Sequence, residues 1–475
     1  MVFSSSIFLV YFFPLFLTFY FLADKKYKNI VLLLSSIVFY SWGAPKFIFA
    51  ILATTTVDFY FVQLLHTSTT EKKRKLFLIL SLFLNVGMLF YFKYCNFFIE
   101  NVNVVLNSLG VKQVAWTKVI LPIGISFYTF ESLTYVIDVY RRVHKPLNNF
   151  WDYQLYIILF PKLIAGPIIR YHEISDQIAD RSMNDTVDNK LTGFYRFVIG
   201  LSKKVLIANV MAAKADEVFA LPAGQLSSSV AWIGMLAYTF QIYFDFSGYS
   251  DMALGIGKMI GFKFPENFNN PYTSQSITEF WRRWHITLGN WMRNYLYIPL
   301  GGNKVNSKFR LYFNLWLVFL ASGFWHGAAW TFIIWGIYHG FLLVLERIFL
   351  LKVYERIGKF PSMLITFILV AIGWVFFRAD KTSYAIQFVK QLFTFNWQMP
   401  LRFISPEFVL CFVLALLFSF FVSVKIGEKI QQKIYYSYYG LAGNLAMSTL
   451  SIVLFTLSLA AITSSGFNPF IYFRF

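Results

Sequence analysis

The sequence predicts an all-α polytopic membrane protein, with roughly ten to thirteen membrane segments. Three observations carry this. The 475 residues are 57% hydrophobic and 21% aromatic but only 14% charged, against roughly 25% charged in a soluble domain. The 57 phenylalanines could not all be hidden in one water-soluble core, so lipid must cover part of this surface. Window after window approaches the ~20 apolar residues that cross a hydrocarbon layer of ~30 Å.

In chain order, the first window is 7–23. Positive charge follows it ("ADKKYK", 23–28) instead of preceding it, and no A-x-A-like cleavage site is present, so a retained helix is expected. Windows 29–42 and 46–65 follow, then 76–92 and 119–137. Lys and Arg favour the cytoplasmic side. Residues 24–28, "EKKRK" (71–75) and "RRVHK" (141–145) then all fall inside, with the N-terminus outside, if the segments alternate. Residues 150–310 differ: "FYRFVIGLSKKVLIANV" (194–210) carries Arg196, Lys203 and Lys204, and "SITEFWRRWHITLGNWMRNYLYIPLGG" (276–302) interleaves Trp, Arg and His. Irregular backbone at membrane depth is tolerated around a wet or protein-covered cavity. Re-entrant or interfacial helices around a cavity are therefore expected here, and for 194–210 a helix lying on the membrane surface fits equally. Windows 229–246, 311–348, 362–377, 407–424 and 443–463 complete the series. No repeat and no soluble linker interrupts it, so 1–475 reads as a single domain.

Net charge is +19. The positive-inside bias and membrane lipid headgroups account for it, and no basic stretch stands apart to bind nucleic acid. The two cysteines show no disulfide or metal spacing. No GxxxxGK[ST] loop, HExxH pair or GxSxG elbow occurs. What remains is a base acting on a substrate hydroxyl, a task that suits neutral imidazole.

Of six histidines, His326 in "GFWHGAAW" (323–330) is the leading candidate. An ionisable group at membrane depth is expensive and functional by default; the alternative is a neutral core histidine. Gly323 and Gly327 allow backbone or substrate to come close. On a continuous helix His339 would face away from His326 and read as structural. His285, in "EFWRRWH", fits either an interfacial anchor or a cavity in which Arg282 and Arg283 hold an anion. Asp245 and Asp251, in "YFDFSGYSDMALGIG", must be paired if buried, with Arg282 and Arg283 as partners in a structural role, or else act directly.

These segments, with "FNNPYTSQSITEFWRRWHITLGNWMRNYLYIPLGG", "SGFWHGAAWTFIIWG" and "GWVFFRA" (373–379), resemble the membrane-bound O-acyltransferase family, and within it the bacterial alginate O-acetylation branch. The resemblance is densest over about 120–380. It implies a helical funnel through the bacterial cytoplasmic membrane, with His326 as the family's invariant histidine and His285 as its second. It implies no bound cofactor but an acyl thioester, acetyl-CoA or another, as donor. Arg282, Arg283, Trp325, Lys203 and Lys204 then become candidates for holding it. The acceptor would be an exported polysaccharide, and an SGNH-type acetyltransferase outside the membrane would finish the transfer. On this reading the aromatic tail "FIYFRF" (470–475) either anchors at the interface or enters the funnel with Tyr472 as an acyl relay. D-alanyl transfer to teichoic acid and peptidoglycan O-acetylation are sister possibilities. A lipid or sugar transporter with His326 as proton relay is the different class.

Overall fold

The computed structural model describes residues 1–398, 400, 403–466, 470 and 471. Among these there is no strand. Six helices are long and apolar enough to cross a membrane: Phe47–Thr67, Glu71–Ser108, Trp330–Ile357, Lys359–Arg378, Pro406–Ser423 and Leu441–Ser464. The other apolar windows became helices that are shorter, such as Ile7–Leu22, or that carry charge. The described residues form two compact units, 1–189 with 257–264, and 190–256 with 265–475.

The first unit contains α1 (Phe13–Leu22), α2 (Lys28–Gly43), α3 (Phe47–Thr67), α4 (Glu71–Ser108), α5 (Ile125–Tyr140), α6 (Phe150–Ile158) and α7 (Tyr171–Ala179). Window 119–137 is helical only from Ile125, because Pro122 and the left-handed Gly124 (φ 78°) precede it. Aromatic rings pack onto α2, where Phe8 and Phe160 each meet Phe39. The buried charged groups Asp58, Glu131 and Lys162 are partnered, as a low-dielectric interior requires. Asp58 on α3 accepts from Ser81, from Asn85 at 3.1 Å and from Tyr153 at 2.9 Å. Lys162, fully buried, bonds Glu131.

The second unit takes most of α8 (Val187–Ser202), then α9 (Asn209–Phe219), most of the 32-residue α10 (Ser228–Met259), the short α11 (Ile277–Arg283) and α12 (Ile286–Met292), and α13 (Lys308–His326). It continues with α14 (Trp330–Ile357), α15 (Lys359–Arg378), α16 (Thr382–Leu392), α17 (Pro406–Ser423), α18 (Lys425–Tyr436) and α19 (Leu441–Ser464). Glycines let α8 and α10 touch backbone to backbone. A Cβ at Gly200 would lie 2.5 Å from the Gly248 carbonyl oxygen, and one at Gly255 2.6 Å from that of Gly193. Small residues at such contacts are the usual device for close helix packing in membranes.

The run 311–348 is not one helix. It folds into α13 and α14, with extended backbone at Gly327 and Ala329 between them. A Cβ at Gly323 would sit 2.4 Å from the Phe332 carbonyl oxygen and 3.1 Å from the Gly336 Cα. The glycines beside His326 thus serve helix-to-helix approach. The face-away argument for His339 fails with the continuous helix: both imidazoles pack on Trp335, at centroid distances of 5.3 and 5.0 Å.

Candidate active site

His326 ends α13 and is buried, its ring packed by Trp325 (4.9 Å), Trp335 (5.3 Å) and Phe377 (5.1 Å). His339 is enclosed by Trp281, Trp335 and Tyr338 at 4.9–5.2 Å. Neither of its ring nitrogens has a hydrogen-bond partner among the described residues, so it is a packed aromatic and not the satisfied donor that a structural histidine usually is.

His285 is placed by a helix break. The Ser276 hydroxyl caps α11 by accepting from the Glu279 N–H at 3.0 Å. The carboxylate of Glu346, from α14, accepts from the Ile277 and Thr278 N–H groups, anchoring the positive end of α11. After Arg283 the chain extends at Trp284 and turns left-handed at His285 (φ 44°), the conformation that starts α12. A non-glycine residue in that region is uncommon and strained, and such positions cluster at functional sites. The backbone of 267–269 pairs with this break, through Asn269 N–H to Arg283 and Ile286 N–H to Asn267. The imidazole Nδ1 lies 3.0 Å from Asn267 Oδ1, and the ring edge packs on Phe246 at 4.7 Å.

His285 and His326 line one cavity of about 420 Å³, together with Trp281, Arg282, Arg293, Asn303 and Arg347. A second pocket of about 10 Å³, room for about one water, touches His326 together with Phe246, Trp284, Trp374, Phe377 and Ile471. His326 therefore has a cavity on the Arg-bearing side and the described end of the chain on another. Phe470 and Ile471 are buried; Phe470 stacks on Tyr249 at 4.7 Å, and Ile471 N–H donates to Asp245 Oδ2 at 2.8 Å. Tyr472 lies outside the described residues.

The expected charge pairing is corrected. Asp251 does not meet Arg282 or Arg283. It is held by Arg196 (2.9 Å) and Lys203 (2.6 Å), and Arg196 also grips Glu266. Asp245 pairs with Lys204 at 2.9 Å. α8 and the helical stretch that continues it (Lys203–Ala208) face α10, so the cations of 194–210 point inward and are not spread on a membrane surface. Lys203 and Lys204 are thereby committed to carboxylates and do not line the larger cavity. Arg283 likewise turns to Glu279 at 2.6 Å, while Arg282 lines the cavity. Trp325 stands between the two histidines, 6.4 Å from His285 and 4.9 Å from His326.

Four residues were not singled out in the sequence: Asn267, Glu346, Arg293 and Arg347. Arg282, Arg293 and Arg347 have no ion-pair partner among the described residues; Arg347 makes only a long contact to Asn303, at 3.5 Å. The signal for Arg293 and Arg347 was a single cation in an aromatic or apolar run. Asn267 gave none, since an asparagine in a polar stretch reads as loop.

The profile of the membrane-bound O-acyltransferase family matches residues 37–376. The chain is 46% identical over 401 residues to the probable alginate O-acetylase AlgI of Pseudomonas aeruginosa, covering 84% of this chain and 76% of that one. It is 41% identical to the corresponding protein of Pseudomonas putida over the full length of both. It is 38% identical over 430 residues to the peptidoglycan O-acetyltransferase of Helicobacter pylori, covering 83% and 80%.

Proposed function

Because the chain belongs to the membrane-bound O-acyltransferase family, and is thus a multi-pass membrane O-acyltransferase, we propose that it passes an acetyl group from a cytoplasmic thioester to an exported, alginate-like polysaccharide. The observation that carries this is the pair His285 and His326 on one cavity with three arginines that have no acidic partner among the described residues. The donor, acetyl-CoA or another anionic acyl thioester, enters from the arginine side. Arg282, Arg293 and Arg347 neutralise its charge; Lys203, Lys204 and Arg283 hold the scaffold instead. His326 takes the proton of the acceptor hydroxyl as that oxygen attacks the thioester carbonyl. The C–S bond breaks and the thiol leaves with a proton. Base catalysis of this kind supplies ~10²–10⁴ in rate, and positioning in the cavity supplies much of the remainder.

In this reading the enzyme sits in the bacterial cytoplasmic membrane with its N-terminus outside. Tyr472 relays the acyl group: its phenol oxygen is the hydroxyl that attacks the thioester, and the resulting tyrosine ester passes the acetyl on and regains a proton, after which an extracytoplasmic SGNH-type acetyltransferase finishes the transfer. The identities to alginate O-acetylases support the acceptor class. The test is acetate released from purified envelope polymers of cells carrying His326→Ala, with insertion checked in membranes. Loss of acetate from alginate-type polymer is expected, and wild-type acetate would overturn the assignment. Acetate lost from peptidoglycan alone would move the acceptor.

A further inference from the structure

Resting on this reading of the site, we propose that Asn267 is a positioning residue that locks His285 in the Nδ1–H form, so that His285 meets the substrate through Nε2 as a hydrogen-bond acceptor and not as a donor to the thioester carbonyl.

Neutral imidazole carries one N–H and one lone-pair nitrogen, and the partner of one fixes the other. Asn267 is buried, and its side chain touches four groups. Its Oδ1 is 3.4 Å from the Thr287 backbone nitrogen, 2.9 Å from Thr287 Oγ1 and 3.0 Å from His285 Nδ1. Its Nδ2 lies 3.0 Å from Ser250 Oγ. A backbone N–H can only donate. The atom facing Thr287 N is therefore the amide oxygen, and the same oxygen faces His285. An oxygen can only accept, so Nδ1 carries the proton.

Nε2, on the far side of the ring, is the lone-pair nitrogen. It has no hydrogen-bond partner among the described residues, and His285 lines the large cavity. The strained turn at His285 and the backbone bond from Ile286 N–H to the Asn267 carbonyl keep ring and amide in register. A neutral His285 so held cannot polarise a carbonyl. The group it meets must bring its own N–H or O–H, as the amides of a pantetheine-type thioester arm do.

Two measurements decide this. The first is independent of activity: ¹⁵N-histidine-labelled wild type in lipid, with the His285 signals assigned by their loss in His285→Asn. The expected spectrum shows a protonated Nδ1 and an unprotonated Nε2; a proton on Nε2 overturns the proposal. The second is thioester turnover. Asn267→Leu keeps the volume but removes the acceptor, and should lower kcat/KM about 10–100-fold, the range known for residues that orient metal-bound imidazoles. Asn267→Asp keeps an acceptor oxygen and should stay within a few-fold of wild type. Undiminished kcat/KM in Asn267→Leu would mean that Asn267 only fills space, and equal losses in both variants, at unchanged detergent stability, would mean that the acceptor oxygen is not the cause; either result overturns the proposal. Absent turnover in wild type defeats the acyl-transfer reading instead, while the spectrum still decides the tautomer.

Discussion

Asp245 holds the described end of the chain and a buried lysine at once: one carboxylate oxygen accepts the Ile471 N–H at 2.8 Å and the other meets Lys204 at 2.9 Å. Removing one partner of a buried pair leaves an uncompensated charge, which costs about 3–5 kcal/mol, whereas replacing both is often neutral. Asp245→Asn should therefore lower the unfolding temperature in detergent, and Asp245→Asn with Lys204→Met should recover most of it. A double variant as unstable as the single one would show that the pair is not the cause.

The two histidine-bearing helices depend on glycine contacts. Gly323→Ala puts a methyl 2.4 Å from a backbone oxygen that cannot move cheaply. Such overpacking costs about 1–3 kcal/mol, and it displaces His326. Transfer activity should fall steeply together with stability. Gly87→Ala on α4, where a Cβ meets nothing within 4 Å, is the matched control and should be silent. Equal effects of the two would remove the hairpin argument.

Arg293 and Arg347 should behave unlike Arg283. A hydrogen bond to a charged group contributes about 1.5–3 kcal/mol, so Arg293→Gln and Arg347→Gln should each raise KM for the anionic thioester by about 10-fold or more. The kcat should change little. Arg283→Gln breaks the contact to Glu279 and should alter KM little. Steady-state kinetics over a range of salt concentration separates them, since the cavity effect weakens as salt rises.

Tyr472→Phe keeps the tail's apolar mass and removes one hydroxyl. In the relay reading it abolishes transfer while the protein still inserts and purifies normally. Full activity in that variant rejects the relay. Phe470→Ala addresses packing alone, because Phe470 stacks on Tyr249; it should cost stability before it costs chemistry.

Much of this was legible in the sequence, and the failures are specific. Windows 46–65, 362–377, 407–424 and 443–463 became helices within a few residues of their limits, because hydrophobic length is the signal lipid imposes. The hairpin at 327–329 was hidden because its turn is as apolar as its helices; a membrane turn buried in protein needs no polar residue. The partners of Asp251 were misjudged because the nearest arginines in a quoted motif were chosen. The real ones lie 48 and 55 residues upstream, on a stretch that glycines bring close against α10. His285 and His326 were found as residue types, but Asn267 required the fold, since hydrogen-bond valence has no sequence signature.

α4 holds a further consequence. Asp58, near the middle of α3, is bonded to Ser81 and Asn85, which fixes the register of α4 against α3. α3 begins at Phe47, eleven residues before Asp58, whereas α4 runs on to Ser108. The last dozen or so residues of α4, roughly 20 Å of helix at 1.5 Å each, therefore extend past the start of α3. There Asn96 and Asn103 bind the backbone of the returning chain at Val119 and Val114. The first unit thus has a braced mast whose reach beyond α3 is set by a single buried carboxylate. Asp58→Asn should free α4 to slide, and changed protection of 96–108 from water-soluble labels would report the shift.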